Sequence, residues 1–112
     1  MTVNKTNLDE KFYIMLAEMC KMLSNPTRLK IIENLREGEK SVGGLVSEIG
    51  ECQASVSQHL SRLSSMNLVK RRRDGAKAYY RVANTKIFKA CDTVREVLIE
   101  QFSEIEGLMK KG

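Results

Sequence analysis

Aromatic side chains are scarce in this chain. Trp is absent, and Phe and Tyr together reach only 5% of 112 residues. A core must therefore come from Leu, Ile, Val and Met. Cysteine is also sparse: three residues, an odd number with no Cys-x-x-Cys spacing, which argues against a disulfide framework. No stretch approaches the roughly 18 uninterrupted apolar residues of a membrane span. Met1–Glu10 is polar, and Glu18 and Lys21 interrupt the first apolar segment, so no secretory leader is expected and the location expected is cytoplasmic. There is no nucleophile–base pair, no phosphate-cradling loop and no ligand-rich cluster, so no enzyme is expected. Internal repeats, low-complexity tracts and linkers are missing too. Residues 1–112 read as one domain.

What the chain does have is positive charge. The formal net charge is +5 and the pI about 9.2. Basic charge alone can serve solubility. Here it is clustered: residues 70–81 hold six Lys or Arg against one Asp. A local cationic patch fits a polyanionic partner.

The hydrophobic pattern divides the chain into helices. Residues 1–7 are polar and read as a frayed lead-in. Leu8, Phe12, Met15, Leu16, Met19 and Leu23 then recur at helical spacing. Ser24-Asn25-Pro26 ends that helix and starts a second, Pro26 to about Arg36, expected to bury Leu29, Ile32 and Leu35. Gly38 falls where a C-terminal cap belongs. Ser41 is placed to cap a short third helix, Val42 to about Ile49, with Leu45 and Ile49 inward. A fourth helix follows the Gly50-Glu51 turn, from about Gln53 to Met66. Two strands, about Val69–Arg73 and Ala78–Val82, precede a long last helix, about Lys86–Lys110. Its apolar positions Ile87, Cys91, Val94, Leu98, Ile105 and Leu108 step by three and four, with Phe102 beside them.

The stretch from Cys52 to Val82 carries the function. Val56, Leu60 and Leu63 form one buried stripe on the fourth helix. The other side offers Gln53, Ser55, Ser57, Gln58, His59 and Arg62, side chains of the kind that hydrogen-bond to base edges and phosphates. Lys70–Arg73, an Asp74-Gly75 turn signal and Lys77–Arg81 form a cationic hairpin. A polar-faced helix followed by a basic wing is the plan of a winged helix-turn-helix reader of double-stranded DNA. The fold class expected is mainly α with a small β-hairpin, in the order α-α-α-α-β-β-α, with the reading unit at about 26–83. Expected DNA contacts are Gln53, Ser55, Ser57, Gln58, His59, Arg62, Arg72, Arg73 and Lys77. The unpaired stripes of the two terminal helices point to a homodimer through Phe12, Met15, Leu16, Met19, Ile87, Cys91, Val94, Leu98 and Ile105.

SNPTRLKIIENL and SVSQHLSRLSSMNLVKRRRDGAKAYYRV together resemble the ArsR-type family of winged-helix repressors, over about residues 12–100. The resemblance implies a homodimer that binds a palindromic operator and is released by an inducer, with the first and last helices forming the interface. The arsenic-sensing type carries Cys-Val-Cys in the third helix; Ser41-Val42-Gly43-Gly44-Leu45 has no thiol there. The zinc-sensing type uses Asp and His along the last helix, where this chain has Asp92 and Glu100 but no His. The family's sulfide and redox sensors have a second-helix cysteine that would fall near Ile32 or Glu33.

The thiols left are Cys20, Cys52 and Cys91. Cys20 and Cys91 lie on the two terminal helices, where an oxidative or persulfide link could tilt the reading units. Cys52 precedes the fourth helix, whose N-terminus favours a thiolate. Three thiolates would also suffice for a thiophilic metal or metalloid ion. The alternative is that the cysteines are small core hydrophobes, in a regulator that works constitutively or through protein contacts.

Overall fold

The computed structural model describes the backbone of residues 5–111 and the side chains of residues 9–110. Leu8, first in the apolar series of the opening helix, therefore contributes only its backbone here. The elements run α1 (Lys5–Met22), α2 (Pro26–Asn34), a 3-10 turn (Leu35–Glu37), β1 (Lys40–Ser41), α3 (Val42–Ile49), α4 (Gln53–Ser65), β2 (Val69–Asp74), β3 (Lys77–Val82) and α5 (Lys86–Lys111). Lys5–Asn7 are already helical, not frayed. Residues 1–4 of the expected lead-in fall outside the described residues.

The caps explain most boundaries. Asn25 Oδ1 accepts from the Arg28 N–H, and Pro26 occupies the first turn of α2, where a missing donor costs nothing. Ser41 Oγ accepts from the Gly44 N–H and starts α3, despite its two glycines. Gly50, at φ 78°, closes α3 in the left-handed conformation that glycine adopts without strain. The end of α4 is a Schellman motif built on Asn67 at φ 57°. The Leu68 N–H reaches Leu63 O at 3.0 Å and the Asn67 N–H reaches Ser64 O at 3.0 Å. Leu68 and Leu63 are both buried, the apolar contact that accompanies such a cap.

Ile31, Ile32, Leu35, Leu45, Val56, Leu60, Leu63, Leu68, Val69 and Val82 form the core. It joins α2, α3, α4 and the base of the hairpin. Ile49, Met19, Leu23, Tyr80, Ile87 and Phe88 pack around it. One expectation fails: Leu29 is 41% exposed, and Ile31 is buried instead. The buried face of α2 and its continuation is residues 27, 28, 31, 32 and 35, a helical stripe whose first two places are taken by Thr27 and Arg28. The α-helix also stops at Asn34, two residues short of the expected Arg36.

The sheet has three antiparallel strands in the order β1-β3-β2. β1 was not anticipated; two residues are too short for a period-2 signal. The hairpin register pairs Val69 with Val82 and Asp74 with Lys77. The two central turn residues are thus Gly75 and Ala76, one position later than Asp74-Gly75. Gly75 has φ 62°, as a type II′ turn with glycine first requires. Only Val69 of β2 is buried, so the hairpin projects from the core.

Candidate nucleic-acid interface

The helix that presents the polar face is held from behind at three levels. Val56, Leu60 and Leu63 are fully buried against α2 and α3. Glu51, in the three-residue turn before α4, receives Thr27 Oγ1 at 2.9 Å from α2 and Ser55 Oγ at 3.4 Å from α4. The third level is Arg28, which is only 9% exposed. Its Nε donates to Met22 O at the end of α1, its Nη2 approaches Lys21 O at 3.5 Å, and its Nη1 lies 3.3 Å from His59 Nδ1 on α4. A guanidinium only donates, so Nδ1 must accept and the imidazole proton belongs on Nε2. Burial, then the Arg28 charge, pushes the His59 pKa down. The Asn-Pro-Thr-Arg run thus has one task per residue: cap, first turn, tie to Glu51, and tie to α1 and His59.

Gln53, Ser57, Gln58 and Arg62 are exposed on α4. Ser55 and His59 are half-buried; Ser55 Oγ faces Glu51 and His59 Nδ1 faces Arg28. On the hairpin Lys70, Arg71, Arg73, Lys77 and Arg81 are exposed and, among the described residues, have no ion-pair partner. Arg72 differs. It makes a bidentate bridge to Glu39 and lies 4.7 Å from the centre of the Tyr79 ring. Glu39, Thr27, Glu51 and Arg28 were missed as support residues. The capping signal at Asn25-Pro26 and the SNPTRLKIIENL motif pointed to the segment that holds Thr27 and Arg28, without showing their partners.

The terminal helices leave broad apolar surface open. Phe12, Met15 and Leu16 of α1 are 44–69% exposed, and Val94, Leu98 and Ile105 of α5 are 55–61% exposed. Met19 and Ile87 pack partly on the core. On α5 the exposed large apolar residues from Val94 to Met109, Ile99 aside, fall in an arc of roughly 140° at ~100° per residue. Phe102 lies at one edge of that arc. α5 is anchored at its start by Ile87, by Phe88 and by Arg36. The Arg36 guanidinium lies 4.9 Å from the Phe88 ring centre and bridges Asp92 at 2.7 Å and Glu33 at 2.9 Å.

All three cysteines are free. Cys20 and Cys52 are exposed, and Cys91 is half-buried. Burial, with Asp92 and Glu33 nearby, pushes the Cys91 thiol pKa up. Among the described residues no three His, Cys, Asp or Glu side chains gather into a metal-holding group, so one protomer does not bring the three thiols together. No helix among the described residues is long and apolar enough to cross a membrane.

The family model for bacterial regulatory proteins of the arsR family matches residues 25–71, from the α2 cap to the middle of β2. The helix-turn-helix-type transcriptional regulator Rv0081 of Mycobacterium tuberculosis is 35% identical over 96 residues, 85% of this chain and 84% of that protein. The chain belongs to the ArsR family. The crystal structure of Rv0081 superposes with a TM-score of 0.76, over 83% of this ArsR-family chain and 94% of that one. A homodimeric winged helix-turn-helix DNA-binding domain, Mb0332 of Mycobacterium bovis, gives 0.72 at 29% identity over 90% and 93%. The biofilm growth-associated repressor of Xylella fastidiosa is 34% identical over 86 residues, 77% of this chain and 75% of that protein. This ArsR-family chain is therefore a winged helix-turn-helix, DNA-binding transcription regulator and not an enzyme.

Proposed function

We propose that the chain is a homodimeric repressor that reads a palindromic operator on double-stranded DNA. The observation that carries this reading is the exposed polar face of α4 beside a projecting hairpin whose five cations other than Arg72 have no ion-pair partner among the described residues. α4 enters the major groove. Gln58 is the base-reading residue, because its amide matches adenine N6 and N7. Gln53, Ser57 and Arg62 flank it, while Ser55 and His59 hold the helix through Glu51 and Arg28. Arg73 and Lys77 meet phosphate or the minor groove. The second copy covers the exposed stripes of α1 and α5, as the homodimeric relative supports.

Release by a thiol-reactive inducer is the regulatory part of the proposal. Cys20 and Cys91 lie on the two helices assigned to the interface. Closing a disulfide between them, within or across subunits, passes two electrons and two protons to the oxidant and repacks the interface. The exposed Cys20 is the better-placed nucleophile; the raised pKa of Cys91 leaves it mostly thiol. That same half-buried position favours a second reading, in which the cysteines are packing residues and the regulator has no cysteine-based inducer.

Two experiments test these readings. Gln58→Ala should cost about 1–3 kcal/mol at one operator position and relax specificity there. Equal weakening on operator and random duplex would refute base readout by Gln58. Cys20→Ser with Cys91→Ser should abolish the response of operator affinity to peroxide and persulfide. A parent that responds to neither favours the second reading.

A further inference from the structure

Among the described residues, Arg72 is the one hairpin cation with a tight internal partner. The register places Ser41, Tyr79 and Arg72 directly across the three strands, on one face of the sheet. Glu39, two residues before Ser41, falls on the same side. The Arg72 side chain crosses Tyr79, with its guanidinium 4.7 Å from the ring centre, and meets the carboxylate beyond. Nη2 donates to Oε1 at 2.7 Å and Nε to Oε2 at 3.0 Å. Asp74 approaches Nη1 more loosely at 3.9 Å.

We propose that Glu39 withholds Arg72 from DNA phosphate, so that Arg72 is a positioning residue of the wing and Glu39 sets how many of its cations the DNA meets. This rests on the DNA-binding reading above. Three features favour retention of Arg72 over transfer to phosphate. The bridge is bidentate, which matches the planar guanidinium fork. The aromatic ring beneath fixes that plane. The carboxylate is in the same molecule, so binding it costs no association entropy. The Arg72 bridge holds the Glu39 carboxyl below its ordinary range, with Arg81 adding to the effect. The charged pair is therefore retained to lower pH than an unpaired carboxylate would allow. Lys70, Arg71, Arg73, Lys77 and Arg81 are left for DNA, and the Arg72–Glu39 pair ties the hairpin to the strand that leads into α3.

The test uses the full chain, a random-sequence duplex and affinity measured across a salt series. Arg72→Gln should leave the salt slope nearly unchanged, whereas Lys77→Gln should lower it by about 0.9. Glu39→Gln should free Arg72, raising affinity several-fold and the slope by about 0.9, the value for one added phosphate contact. The gain should vanish when Glu39→Gln is made in the Arg72→Gln background. The Arg72 Nε–H resonance should not shift when duplex is added to the parent. A gain that persists without Arg72 is a plain charge effect and overturns the proposal. So does a Glu39→Gln variant that binds no better, or an Arg72 resonance that moves on DNA. A parent with no salt-dependent duplex binding would sink the DNA-binding reading itself, and this proposal with it; the other outcomes leave that reading standing.

Discussion

Arg28→Met removes a buried guanidinium that ties the end of α1 to α4. Methionine keeps most of the aliphatic stem and deletes the charge and all side-chain donors. Two well-placed hydrogen bonds are lost, to Met22 O and to His59 Nδ1; the third, to Lys21 O at 3.5 Å, is at the limit and counts for little. A hydrogen bond from a charged donor contributes about 1.5–3 kcal/mol. Two would suggest about 3–6, but the acceptors lie in half-buried residues that water can partly reach, and removing a buried cation relieves its desolvation. The expected loss is about 2–4 kcal/mol. Urea unfolding at one fixed protein concentration, because a dimer's stability depends on it, should show the midpoint fall by roughly 1–2 M with the slope unchanged. Arg28→Lys should rescue little, since one ammonium cannot serve α1 and α4 from opposite edges of a plane. Amide exchange should quicken at the end of α1 and along α4. A loss below about 0.5 kcal/mol, the range of ordinary surface substitutions, would refute the view that Arg28 ties α1 to the reading helix.

Other outcomes follow from the same geometry. Leu98→Glu should give monomers at micromolar concentration by sedimentation and abolish operator binding; a surviving dimer would remove α5 from the interface. His59 gives a pH dependence of known sign. Its folded pKa lies below the ordinary 6.5, so the unfolded chain takes up the proton first. Stability is complete above about pH 6.5, falls as the pH drops toward the lowered folded value, and levels off beneath it. His59→Gln should remove this slope from denaturation curves measured across that window. In Arg28→Met the slope should shrink but persist, because burial is the larger cause of the shift.

Local rules determined a large share of this protein. The stripe of Val56, Leu60 and Leu63, the Ser41 cap and the Gly50 stop are each set by residues within one or two turns of one another. The sequence shows them because helical period and capping chemistry act at that range. The cationic run between two β-prone segments was equally plain. What tertiary structure alone decided is where the polar side chains find partners. Arg28 takes a buried place that a simple count of apolar residues assigned to Leu29, because the end of α1 and His59, 31 residues away, supply acceptors there. β1 exists only because β3 passes beside it. The turn moved one residue, to Gly75-Ala76, because the core fixes Val69 opposite Val82. Arg72 meets Glu39, 33 residues earlier, across a strand that neither belongs to. A buried donor or a forked guanidinium takes whichever acceptor the assembled fold delivers, and that choice depends on the packing of every element at once.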